Sequence, residues 1–297
     1  MNNTQKGYLY ALAAALIWSG FILISRLGGI SELGSFDIIA IRYITCSAIL
    51  LPIWWFKFRF NLFNPKLIVC SLVGGLAYAL CTSQGFQLVA ASHAAMLLPG
   101  LMPLFIIVLS YLINGERHSI EKWLGITVIT LGILTLLWPM LNNPQDFSLG
   151  HLYLIGGAWC WAVFSVLIKR WGITPWHATV SLAVITCVIY LPFYVAFLPK
   201  NISMILLPDI VVQAFYQGFM ATIVQMIFYV RAVQSIGPSS MGAMMAVVPL
   251  LSGVSAIFIF NEVASLALIS GLILVSIGAW LAQKKWLKTS NSNINAI

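Results

Sequence analysis

The chain has 297 residues, 61% of them hydrophobic and 7% charged, with a formal net charge of +8 and a mean hydropathy of +0.98. A soluble domain of this length needs several-fold more charge to cover its surface, so a water-soluble fold is excluded. Basic balance is a footprint of phosphate binding, but the placement of these charges, taken up below, argues against a nucleic-acid partner.

A helix crosses about 30 Å of hydrocarbon with about 20 apolar residues. Ten runs meet that length: 7–27, 36–57, 67–89, 93–113, 119–139, 150–170, 176–198, 208–231, 238–260 and 264–284. They lack the alternation of barrel strands, which predicts an all-α integral membrane protein of ten transmembrane helices. The first run is too long for a signal-peptide core and more crossings follow it, so it is read as a retained helix.

Helix 1 carries Trp18 and ends at Arg26; Arg42 lies inside helix 2, where snorkelling or pairing with Asp37 or Glu32 is the expected use and a substrate carboxylate the lesser alternative. Helix 3 offers Tyr78, Thr82, Gln84 and Gln87, which do not share one face, so some of them are structural. Helix 4 opens with His93, a candidate for substrate or proton contact against the plainer role of hydrogen-bonded structure. It continues through Met96 to Pro103, which removes a backbone donor and makes a candidate hinge. Gly125 and Gly132 of helix 5 lie two turns apart and form a smooth strip for close packing.

Helix 6 repeats helix 1. Gly7, Leu9, Tyr10, Trp18, Phe21, Gly29 and Ile30 match Gly150, Leu152, Tyr153, Trp161, Phe164, Gly172 and Ile173 at a constant offset of 143. "ITCSAILLP", ending at Pro52, returns as "ITCVIYLP", ending at Pro192; later Pro103, Glu116, Gly125 and Gly132 meet Pro249, Glu262, Gly271 and Gly278 at an offset of 146. Such an internal repeat divides the chain into a segment 1–6, a first five-helix repeat 7–139, a second 150–284 and a polar tail 285–297, expected to be disordered. Five crossings is an odd number, so the second repeat enters the membrane from the opposite side. Two inverted repeats with a pseudo-two-fold axis in the membrane plane are an architecture of secondary transporters.

In helix 8, Gln213, Gln217, Ala221, Gln225 and Tyr229 step by four and stay near one face. Gln217 and Gln225 are candidate ligand contacts; helix-to-helix amide bonding is the alternative. Helix 9 brings Met244, Met245 and the second candidate hinge, Pro249. The methionines suit varied apolar ligands or core filling equally. Glu116 and Glu262 fall thirteen residues after the prolines, about 20 Å along a helix. They belong at opposite surfaces, as caps or partners of groups such as Arg117, and not as a midplane proton relay.

With the N-terminus in the cytoplasm, twelve of the fifteen basic residues fall inside and only Arg26, Arg42 and Lys200 outside or toward it. The charge therefore orients the chain, with both termini cytoplasmic. The five cysteines form no CxxC pair and read as small buried hydrophobes, with no disulfide, metal or cofactor expected.

Together Trp18, the Pro103–Glu116 spacing and Gly125–Gly132, each repeated in the second half, resemble the EamA-type ten-helix drug/metabolite transporter superfamily. The resemblance runs from about residue 7 to 284, with one departure: "WSG" stands where many relatives have Trp followed directly by Gly. It implies a bacterial inner-membrane transporter exporting a small metabolite, often an amino acid or amphipathic compound, although uptake systems occur among its members. It also implies a cavity walled by helices 1, 3, 4, 6, 8 and 9, which makes Trp18, Tyr78, His93, Met96, Trp161, Gln217, Gln225 and Met244 the candidate substrate-binding residues. Helices 5 and 10 then buttress the bundle or a homodimer contact. The absence of a carboxylate deep in any predicted span favours uniport or exchange over proton antiport. A membrane-embedded enzyme needs a convergent catalytic set, and seven scattered acids with four histidines form none. A channel would show charge rings or a filter motif.

Overall fold

The computed structural model describes residues 2–142, 147–202, 206–245 and 247–292. The described residues form helices joined by short connections: α1 Asn3–Ile30, α2 Ser35–Phe58, α3 Pro65–Leu88, α4 Ala91–Asn114, α5 Ile120–Asn142, α6 Leu149–Arg170, α7 Pro175–Phe197, α8 Leu207–Ile259 and α9 Leu266–Ser292. Eight of these, α1 to α8, are long and apolar enough to cross a membrane, and α9 contains the shorter apolar stretch Leu266–Ala282. Large apolar side chains such as Leu16, Leu131, Trp138, Phe193 and Phe258 are exposed around the bundle, as lipid contact requires.

The spans expected at 208–231 and 238–260 correspond to two helical limbs that meet at a kink, with no intervening loop, within α8. It is interrupted at Gly237, whose φ of 82° and ψ of 158° leave the helical region. Glycine tolerates that positive φ, and Pro238 then opens the second limb. Helix α9 also runs to Ser292, into the expected tail. Residues 293–297 of that tail lie outside the described residues.

Packing is mirrored between the halves. Helix α1 lies on 225–245 and 247–259 of α8, whereas α6 lies on α3 and α4. Helices α2 and α7 pair with each other, and so do α5 and α9. In the α5/α9 contact a Cβ at Gly132 would lie 2.8 Å from the Gly271 carbonyl oxygen, and one at Gly125 would lie 2.6 Å from that of Gly278. The two glycine strips therefore face each other inside the protein.

Besides Trp54–Phe58 at the end of α2, two stretches, Leu72–Ala77 in α3 and Ala214–Val224 in α8, are π-helical. Their wider i→i+5 turns are rare and often mark functional sites. Each presents a glycine to a threonine of the repeated "ITC" segment in the other half. A Cβ on Gly75 would fall 2.1 Å from Thr186 Oγ1, and one on Gly218 would fall 2.6 Å from Thr45 Cβ.

Candidate functional site

Five aromatic side chains meet where α1, α3, α6 and α8 converge. The Trp18 and Trp161 rings lie 4.8 Å apart edge-on, Tyr78 is 4.8 Å from Trp161, and Tyr229 is 5.2 Å from Trp161 and 5.9 Å from Trp18. Phe164 packs beneath Trp161 at 5.2 Å. The Ser165 hydroxyl and the Tyr229 phenol share a hydrogen bond, and Ser165 Oγ sits 2.7 Å from the Trp161 carbonyl oxygen, which ties the ring of α8 to α6.

Beside this cluster is a small cavity of about 10 Å³ lined by Trp18, Phe21, Arg42, Tyr78, Trp161, Ala221 and Gln225. A second cavity of about 10 Å³ adjoins it, lined by Phe21, Ser25, Ile38, Arg42, Thr82, Ser83, Phe86 and Gln217. That volume suits about one water molecule, so the centre is closed to any organic solute in this conformation.

The expected site residues divide. Trp18, Tyr78, Trp161 and Gln225 come together around the first cavity, and Gln217 borders the second while donating to Ser25 Oγ at 2.9 Å. His93 stands elsewhere, at the start of α4, with Nδ1 3.4 Å from Nε2 of His151. Met96 is fully buried with its Cε against Gly271 of α9, and Met244 is half-buried against the core; neither borders these cavities. Of the helix 3 glutamines, Gln84 donates to Ser35 Oγ at 2.8 Å and Gln87 to the Leu33 carbonyl at 3.4 Å, which are ties between helices. Pro103 and Pro249 sit where α4 crosses the second limb of α8, Pro103 against Gly242 and Pro249 against Gly100.

Arg42 sits at the centre, the residue for which sequence reasoning expected a different use. It is 5% exposed. Its Nε donates to Thr222 Oγ1 at 2.8 Å, and Thr222 in turn donates to the Gln217 carbonyl at 2.6 Å across the π-helical turn. The guanidinium lies 5.4 Å from the Phe21 and Tyr43 ring centres and 5.9 Å from that of Tyr78. The expected pairing with Asp37 does not occur. Asp37 is buried and accepts from the backbone N–H groups of Gly34 and Asn201 and from the Tyr194 hydroxyl. Thr222 and Ser25 were not singled out from the sequence, where their small side chains give no signal by themselves, and Phe21 stood out only as the match of Phe164 in the repeat.

A glutamate is hydrogen-bonded at each end of α4. At one end Glu262 accepts from the backbone N–H of Ala91 at 2.7 Å and of Ser92 at 2.9 Å, capping α4 with a carboxylate from the other half. Arg26 donates there to the carbonyls of Phe86 and Gln87 at 2.9 and 3.1 Å. At the other end the equivalent Glu116 is held more loosely, by Asn114 Nδ2 and Ser239 Oγ, each at 3.4 Å, and Lys169 donates to the Gln234 carbonyl at 3.2 Å. Nearby, His118 Nε2 is 2.8 Å from Ser110 Oγ. Burial, and then Lys122, push the His118 imidazole below its ordinary value, while Glu116 and the Ile107 carbonyl pull it up.

A polytopic helical bundle enclosing a polar and aromatic pocket between its two halves has the construction of a membrane transporter. The profile of the EamA-like transporter family matches twice, over residues 5–138 and 148–283, and the chain belongs to that family of transporters. It is similar to proteins described as S-adenosylmethionine uptake transporters. In Rickettsia prowazekii (strain Madrid E) the identity is 23% over 285 residues, covering 93% of this chain and 92% of the relative. In Rickettsia felis it is 23% over 286 residues, with the same coverage. An uncharacterized transporter of Bacillus subtilis (strain 168), YoaV, matches 34% of the chain at 29% identity. One protein crystal structure aligns over 94% of this chain and 96% of its own, with a TM-score of 0.67 and 20% identity, a likeness of fold alone.

Proposed function

We propose that this protein is a secondary transporter that carries a small organic metabolite across the bacterial cytoplasmic membrane by alternating access to the pocket between its halves. The observation that carries this reading is the meeting of Trp18 and Trp161, matching residues of the two halves, at one closed cavity. At 1.5 Å per residue α8 is about 80 Å long, far more than one crossing. Its break at Gly237 fits two crossings, and with α9 the total becomes ten, five per half. The doubled family match, the two Gly–Thr notches and the mirrored packing support inverted repeats. The charge distribution favours cytoplasmic termini.

The names of the relatives that span 93% of the chain make S-adenosylmethionine the first compound to test, and uptake or exchange the first mode, ahead of amino-acid export. Its sulfonium and purine suit a pocket walled by tryptophan and tyrosine, whose faces attract cations and stack on flat rings. The test is counterflow in proteoliposomes loaded with unlabelled S-adenosylmethionine. Saturable uptake of the labelled compound, stimulated by the internal pool, is expected. Uptake indistinguishable from protein-free vesicles excludes this substrate, and the same result across amino acids and nucleosides excludes the function.

A further inference from the structure

We infer that Arg42 is the anchor for a carboxylate on the transported molecule, so that the substrate class is a carboxylate-bearing amphipath, zwitterionic or anionic, rather than a neutral or purely cationic compound. This deepens the proposed transport function and rests on it. A cation enclosed in a membrane bundle is costly and ordinarily meets an acid. Here the nearest acid in sequence, Asp37, is committed to three other donors, and no carboxylate is among the partners of Arg42 in the described residues. Its Nε is held by Thr222, which fixes the plane of the guanidinium. No hydrogen bond within the described residues uses Nη1 or Nη2, and both small cavities border this side chain.

A guanidinium edge carries parallel N–H donors spaced to match a carboxylate, which it holds in bidentate fashion. The three rings around Arg42 soften the cost of its charge without neutralising it. A monoanionic group completes the balance, whereas a dianion leaves one charge over in a low-dielectric centre. A second unpaired group points the same way: Gln225 is 3% exposed, borders the first cavity, and its Nε2 has no hydrogen-bond partner. The ligand therefore meets a fork of cationic donors and an amide on one side and the Trp18–Trp161–Tyr78 surface on the other. Because each cavity is about 10 Å³, the bundle opens before the carboxylate enters.

The experiment is calorimetric binding to the full chain in lipid nanodiscs. The probes are S-adenosylmethionine, L-methionine and L-phenylalanine, each beside its decarboxylated counterpart. For the wild type, at least one pair is expected to favour the acid by about tenfold or more. Arg42→Gln is expected to bring that pair within about twofold, chiefly by weakening the acid, and Arg42→Lys to keep an intermediate preference. Should Arg42→Gln fail to fold, the wild-type comparison still decides. A wild type that binds acid and decarboxylated forms alike, or a glutamine variant that keeps the full preference, overturns the anchor. Saturable flux without carboxylate preference removes the anchor and leaves transport standing; absence of flux for every probe removes both.

Discussion

Trp18 and Trp161 stand 143 positions apart in the chain and meet edge-on with ring centres 4.8 Å apart. Both are buried, and both border the cavity that also reaches Arg42. A contact between matching residues of two halves places that cavity at the line where the halves meet. Any rocking of one half against the other must change it.

Replacing either tryptophan therefore alters the contact that the proposed rocking would move. Trp161→Phe is expected to preserve folded yield and lower the maximal counterflow rate several-fold, because the shortened ring no longer meets Trp18. Trp161→Ala adds a destabilisation of about 3–5 kcal/mol from the cavity it leaves. Transport and thermal unfolding in the same detergent check the pair. A phenylalanine variant with unchanged kinetics takes Trp161 out of the site.

The two glutamates predict an asymmetry. Glu262 holds two backbone N–H groups at the N-terminus of α4, whereas Glu116 makes only two long contacts. Glu262→Ala is expected to cost about 1–3 kcal/mol, by loss of charge-assisted bonds at a helix N-terminus, and Glu116→Ala about 0–1 kcal/mol. Parallel melting curves give the comparison, and equal losses would argue against unequal hydrogen bonding of the two glutamates.

Gly75 and Gly218 allow the π-helical turns to approach Thr186 and Thr45. Valine at either position is expected to push α2 or α7 away at a cost of about 1–3 kcal/mol and to depress flux. Pairing Gly218→Val with Thr45→Ala should restore part of the stability, which a double-mutant cycle measures.

His118 is neutral in the folded protein over a wider range than in the unfolded chain, because burial lowers its affinity for a proton. Its contribution is complete above the unfolded value of about 6.5 and falls as pH drops through the folded one. His118→Gln is expected to flatten part of the loss of melting temperature between pH 7.5 and 5. An unchanged slope assigns that loss to other groups.

Hydropathy alone located the long apolar helices, eight of which are long and apolar enough to cross a membrane among the described residues, because lipid imposes such helices whatever the packing. It did not reveal that the last turn before Gly237 continues into the next limb without a loop, since one glycine with positive φ is enough to turn the chain. The π-helical turn in 214–224 leaves no mark in the step of four from Gln213 to Tyr229, which an α-helix carries equally well. The pairing of Arg42 with Asp37, five residues before it, does not form, because only the fold brings Asn201 and Tyr194 to claim that acid. His93 looked like a site residue by its chemistry. Its position at the first turn of α4, beside His151, depends on how α4 meets α6 and has no local signature.

Opposed halves are the premise of the alternating access proposed above, and the position of their first residues tests them most directly. Thr4 precedes the first half and Ser148 the second. With the five native cysteines replaced, single cysteines at these two positions are reacted with a membrane-impermeant maleimide on intact cells. The account predicts labelling of Ser148→Cys from outside and of Thr4→Cys only after the membrane is opened. Labelling of both from the same side would make the halves parallel and contradict it.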